Sequence, residues 1–209
     1  MPDLPQLSLF VAAGWLLNLT PGPDVLYIVN HALRGGVRPG MVAALGIVSG
    51  CFVHVVAAAV GVSALLATSA TAFTVLKWVG AAYLVFMGVR LLRSRPSPLA
   101  VAPALAAPSL WRIYQRGFLT NVLNPKVALF FLALLPQFVV PGQGPVAAQI
   151  AWFGFVFIVA TLITFGGITY FAGVFGERLQ GSPRAQRWMN RASALVFAGL
   201  ALRLATAQR

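Results

Sequence analysis

The chain has 209 residues, of which 59% are hydrophobic and only 9% charged. A soluble domain carries about 25% charged residues, so the composition excludes an ordinary soluble protein and points to an all-α integral membrane protein. The net charge of +12 would favour nucleic acid in a soluble chain. Here the basic residues fall between apolar runs, the pattern of cytoplasmic loops, and nucleic acid is excluded as a partner.

The chain begins "MPDLPQLSLF", with no basic stretch ahead of the apolar run and no small-residue cleavage site after it. That run is therefore expected to be a permanent span rather than a signal peptide. Hydropathy predicts six spans, near Leu7–Val29, Met41–Leu66, Phe73–Leu92, Gly117–Val139, Val146–Phe171 and Trp188–Thr206. The first is interrupted at "TPGPD", residues 20–24, and the fourth at Asn124-Pro125, because proline lacks the N–H that a helix interior needs. In the sixth, Arg191 and Arg203 have to reach opposite interfaces. Around Lys77, Trp78 and Tyr83 the third span has the residue types of an interfacial anchor.

Orientation follows from the connections. Arg34 and Arg38 follow the first span. Arg90, Arg93, Arg95, Arg112 and Arg116 lie between the third and fourth, and Arg178, Arg184, Arg187 and Arg191 lie before the sixth. The connections "ATSATA" and "PGQGP" carry no charge. The basic loops are thus expected in the cytoplasm and both termini outside. The proline- and alanine-rich stretch that starts "SRPSPLAVAP" reads as a cytoplasmic linker over 94–111. It divides one membrane domain into a first three-helix repeat, 1–93, and a second, 112–209.

The halves resemble each other. "GPDVLYIV" from Gly22 aligns with "NPKVALFF" from Asn124, and the order is kept by "VAAL" from Val42 with "VAAQ" from Val146 and by "LVFMG" from Leu84 with "LVFAG" from Leu195. Three spans is an odd number, so the second copy is inverted relative to the first. Inverted repeats with interrupted helices at corresponding positions mark secondary transporters, whose substrate sites lie at the repeat interface.

The aligned breaks place Asp24 and Lys126 at equivalent positions, each directly after a proline. Charges inside a membrane cost about 2.5–3.5 kcal/mol each on insertion scales and are normally paired or functional. Two readings stand: the pair brackets a zwitterion, Lys126 on its carboxylate and Asp24 on its ammonium, or it is a salt bridge locking the repeats. Thr20, Asn121 and Asn124 add polar groups beside Pro21, Gly22, Pro23 and Pro125, and in either case satisfy backbone groups that the prolines orphan. Asn18 opens a formal glycosylation sequon that has no use inside a span.

His54 is open to three readings: a histidine bonded within the bundle, a carrier for proton coupling alongside Asp24, or a metal ligand with Cys51 one turn earlier. The metal reading lacks further ligands, and no metal site is expected. Cys51 is the only cysteine, so no intrachain disulfide forms. The GxxxG pattern from Gly46 to Gly50 permits close helix contact within one subunit or between two, which leaves a homodimer open. No Ser-His-Asp set, paired acids or phosphate loop is present, and neither catalysis nor a cofactor is expected.

These residues also carry a family resemblance. "NLTPGPDVLYIV", "GGVRPG", "GCFVHVVAAAVGV", "LKWVGAAYLVFMG" and "RGFLTNVLNPKVALFFLALLPQF" resemble the LysE/RhtB family of bacterial amino-acid exporters over nearly the whole chain. The resemblance implies an inner-membrane exporter of amino acids such as threonine, homoserine, leucine or lysine, driven by the proton gradient. It carries over to Pro21, Gly22, Pro23, Asp24, His54, Asn121, Asn124, Pro125 and Lys126. Several relatives have an acidic residue in the fifth span where this chain has only Thr161 and Thr164, which favours a neutral amino acid over lysine. The competing expectations are a metal-ion exporter and a non-transport intramembrane enzyme or scaffold.

Overall fold

The structure, a computed structural model, describes residues 4–68, 70–93, 108–140 and 142–179, together with Arg191, Ala194, Leu195, Ala198, Gly199, Ala201, Leu202 and Ala205. Among the described residues all regular structure is helical. The helices are α1 (Leu4–Leu19), α2 (Pro23–Gly35), α3 (Val37–Thr68), α4 (Ala70–Arg93), α5 (Leu110–Val122), α6 (Pro125–Leu129) and α7 (Val146–Leu179). Most of the linker and of the predicted sixth span lies outside the described residues. Those described between Arg191 and Ala205 are helical, with Ala194 and Ala201 buried and Leu195 and Leu202 exposed.

Two stretches, Val37–Gly61 and Val146–Phe175, are long and apolar enough to cross a bilayer. The shorter, 25 residues, spans about 37 Å of helix against a hydrocarbon core of about 30 Å. Leu110–Val122 and Pro125–Phe138 together pass the same test as one span bent by 46°. α1 is apolar but shorter, at 16 residues.

The surface of the molecule is as apolar as its core, with a small polar cluster inside. Phe52, Val56, Phe86, Leu119, Ile163 and Phe171 are exposed by half or more, while Asp24, Asn121, Asn124 and Lys126 are buried. Lipid rewards that arrangement, because an exposed apolar side chain costs nothing there and an unpartnered polar one costs on the order of several kcal/mol.

Packing of α3 against α5 depends on missing side chains. A Cβ on Gly46 would lie 2.3 Å from the carbonyl oxygen of Tyr114, and one on Gly50 2.8 Å from Asn121. The GxxxG pattern is thus used within this chain, to bring the backbone of α5 onto α3, and is not free for a second copy. Gly117 on α5 answers it, a Cβ there lying 2.8 Å from the carbonyl oxygen of Ala43.

The structure corrects one expectation. The predicted basic loop between the first two spans is helical apart from Gly36, which takes φ 79° and ends α2 with its N–H on Ala32 O at 2.9 Å. A positive φ is open to glycine at little cost, so a single residue turns the chain into α3. Arg34 sits in the last turn of α2 and Arg38 in the first of α3.

Beyond α6 the chain stays coiled but irregular, with a wide π-type turn at Phe130–Leu134 and a tight one at Leu135–Phe138. Pro136 explains this, since it has no N–H to give and its ring crowds the carbonyl four residues earlier. The wide turn delivers Phe130 and Phe131 to an aromatic core with Phe10 of α1 and Phe157 of α7, at centroid separations of 5.0–5.8 Å. That core fixes the second break against α1 and α7.

Candidate functional site

At the first break, Pro21 and Pro23 cannot donate to the last carbonyls of α1, which are left without their helical partners. Thr20 keeps the ordinary helical bond to Leu16 O (3.1 Å), adds its hydroxyl to the same oxygen (2.6 Å), and recovers some of the loss by a long N–H bond to Leu17 O (3.3 Å), whose helical donor would have been Pro21. Lys126, arriving from the other break, recovers more. Its Nζ donates to Leu17 O at 3.0 Å and to Thr20 O at 3.2 Å. Helix α2 then restarts with Gly22 as an extended N-cap, Pro23 in the first turn, and no side-chain cap.

At the second break, Asn124 is the N-cap of α6, and its Oδ1 accepts from the N–H of Lys126 at 3.1 Å. Its own N–H donates to Asn121 O at 2.9 Å. Pro125 occupies the first turn, as Pro23 does in α2. The two sequence motifs thus adopt the same local form, N-cap, proline, charge.

Asn121 joins the two. Its Nδ2 donates to Asp24 Oδ2 at 3.0 Å, and its backbone oxygen lies 3.0 Å from His54 Nε2. A carbonyl only accepts, so that contact requires the tautomer with hydrogen on Nε2. The imidazole lies flat against Phe131, with centroids 5.9 Å apart and planes 15° apart. A further buried bond, from Asn18 Nδ2 to Thr161 Oγ1 at 2.9 Å, ties α1 to α7.

The structure therefore brings Thr20, Asp24, His54, Asn121, Asn124 and Lys126 into one cluster, none of them more than 7% exposed. Pro23 and Pro125 lie outside it and are exposed. They shape the breaks without lining anything. Gly22 lies beside Lys126, and a Cβ on it would sit 3.3 Å from Nζ. Asp24 and Lys126 attract each other, yet the hydrogen bonds of Lys126 go to the carbonyls of α1.

Three polar atoms of the cluster, Asp24 Oδ1, Asn121 Oδ1 and Asn124 Nδ2, are fully buried and make no hydrogen bond of good geometry, although Asn124 lies near enough to Asp24, and Asn121 to Cys51, to interact weakly. Two are acceptors and one is a donor. Such atoms cost on the order of 1–3 kcal/mol each when left unmade, so three of them around one carboxylate are uncommon in a purely structural network.

Cys51 flanks the cluster, close to the side chains of Asn121 and Asp24. It is buried and donates weakly to Ile47 O at 3.7 Å. Among the described residues no three His, Cys, Asp or Glu side chains converge as metal ligands. Sequence reasoning set Asn18 aside as an idle sequon. The signal was its isolation, the only amide between Leu7 and Leu19.

Residues 15–208 match the family of LysE type translocators. A membrane protein of Vibrio cholerae, described only as uncharacterised, is 33% identical over 95% of this chain and 96% of its own length. A homoserine/homoserine lactone efflux protein of Salmonella typhimurium is 29% identical over 95% of each chain. A leucine efflux protein of Enterobacter sp. (strain 638) is 30% identical over 94% of this chain and 93% of its own. No solved structure is a significant match. With helices built to face lipid, polar groups buried at two broken helices, and this match over nearly its whole length, the chain belongs to the LysE-type translocator family.

Proposed function

We propose that the protein exports a neutral amino acid across the bacterial inner membrane in exchange for protons, and that the cluster between the two breaks is its substrate site. The observation that carries this reading is that a buried oxygen of Asp24 and the buried amide atoms Asn121 Oδ1 and Asn124 Nδ2 next to it make no hydrogen bond of good geometry. An α-ammonium donates to Asp24 Oδ1 and Asn121 Oδ1. The carboxylate accepts from Asn124 Nδ2, and from Lys126 once its ammonium leaves the carbonyls of α1. Thr20 keeps the end of α1 in place. The names of the homoserine and leucine efflux relatives support a small neutral side chain.

Proton coupling follows from competition. Asp24 holds either a proton or the substrate ammonium. His54 reads the exchange, because it and Asp24 bind the same residue, Asn121, through its backbone and its side chain. Six helices in two inverted repeats, 1–93 and 112–209 around the linker 94–111, give the frame, with both termini outside. The shared N-cap, proline, charge form of the breaks supports the repeat. Alternating access rocks one repeat against the other about the breaks.

The test is efflux of preloaded leucine, homoserine and threonine from vesicles, with and without a proton gradient. Asp24→Ala and Lys126→Ala are expected to lower efflux about 100-fold, the kinetic equivalent of losing an interaction of about 3 kcal/mol. Unchanged efflux in both variants refutes the site.

A further inference from the structure

The end of α1 points two carbonyls, one of them Leu17 O with only a long bond from the Thr20 N–H, at a single positive charge. Leu17 O and Thr20 O converge on Lys126 Nζ at 3.0 and 3.2 Å, at the negative end of the α1 dipole. Lys126 itself lies near the start of the coiled run that α6 opens and residues 130–138 continue, where the dipole of that run disfavours a cation. Its charge is therefore held by another helix, 106 residues earlier at Thr20. Room for it comes from Gly22, whose missing side chain leaves the ammonium clear. Carbonyls at the C-terminal end of a half-helix are the groups that hold monovalent coupling ions in other secondary transporters.

We infer that the broken end of α1 is a monovalent-cation cradle which this chain fills from within, Lys126 acting as a tethered counter-ion. Cutting the tether opens the cradle to a small external cation. An alkylammonium matches it by donating N–H groups to the two carbonyls, and an alkali ion matches it by coordination. The inference deepens the role given to Lys126 above and rests on that reading only for its meaning in transport. Its own readout is folding stability, so it stands or falls separately from the efflux result.

The experiment compares thermal unfolding of the purified protein, Lys126→Ala and Lys126→Met in choline, sodium, potassium and methylammonium chloride at equal ionic strength. The unaltered protein is expected to unfold at the same temperature in all four. Lys126→Ala is expected to be least stable in choline, and to gain roughly 3 °C for each tenfold rise in cation above its dissociation constant. A gain from methylammonium alone assigns the cradle to N–H donors, and a gain from sodium or potassium alone assigns it to a bare ion. Both support the inference. Lys126→Met, which keeps the bulk and loses the charge, is expected to respond to none. A response of equal size in Lys126→Met or in the unaltered protein overturns the inference, as does the absence of any saturable response in Lys126→Ala. Failure of Lys126→Ala to fold in all four salts also overturns it, because a cradle that no external cation refills is not a cation site.

Discussion

The two breaks are built to one plan and balanced in opposite ways. In α2 the charge after the proline is Asp24, a carboxylate in the first turn, where the helix dipole welcomes it. It compensates its own helix, and Gly22 provides no side-chain cap. At the second break the charge is Lys126, near the start of the coiled run over residues 125–138 and of the wrong sign for that end. There the cap comes from Asn124, and the ammonium goes to the end of α1, where its sign is right. A charge beside a helix break is thus placed by helix polarity first and by its opposite number second. Asp24 and Lys126 sit at matching positions, yet each is bound by other groups.

That contrast can be broken one residue at a time. The largest expected effect is from Asn121→Ala, which strips Asp24 Oδ2 of its donor and leaves the first break with a barer buried carboxylate. A hydrogen bond to a charged group is worth about 1.5–3 kcal/mol, so a loss of about 2 kcal/mol is expected in a denaturant titration, with efflux falling alongside. Asn124→Ala comes next. It removes the cap that only the second break has, and is expected to cost about 1 kcal/mol. The smallest is Gly22→Ala, whose methyl meets the far end of a flexible side chain at 3.3 Å. A cost of about 0.5 kcal/mol is expected, because Nζ can move by the few tenths of an ångström required. An Asn124→Ala loss no larger than that of Gly22→Ala would mean that the breaks are capped alike.

Much of this was legible in the residues. Proline has no N–H wherever it sits, so Pro21, Pro23 and Pro125 announced both breaks, and the aligned "GPDV" and "NPKV" announced their equivalence. The long apolar runs announced α3 and α7, with α3 starting four residues earlier, at Val37, and α7 running eight residues further, to Leu179. Where Lys126 points was not legible, because that depends on the free carbonyls of a helix more than 100 residues away. Nor was the partner of Gly46 and Gly50. A small-residue stripe declares a close approach, and only the fold says that α5 makes it. Asn18 was passed over for a similar reason. Its meaning lies in Thr161, and a hydroxyl in an apolar helix usually bonds to its own backbone, as Thr164 does with Ala160 O at 2.7 Å.

The most direct measurement is a charge swap, Asp24→Lys combined with Lys126→Asp, assayed for efflux and thermal stability beside each single variant. If each charge answers to helix polarity and to its own partners, the swap puts a cation at the N-terminus of α2 and turns a carboxylate toward the carbonyls of α1. The double variant is then expected to be at least as impaired as the worse single one. Recovery of stability and efflux in the double variant would mean that the two charges act chiefly as a mutual ion pair, and would contradict this account.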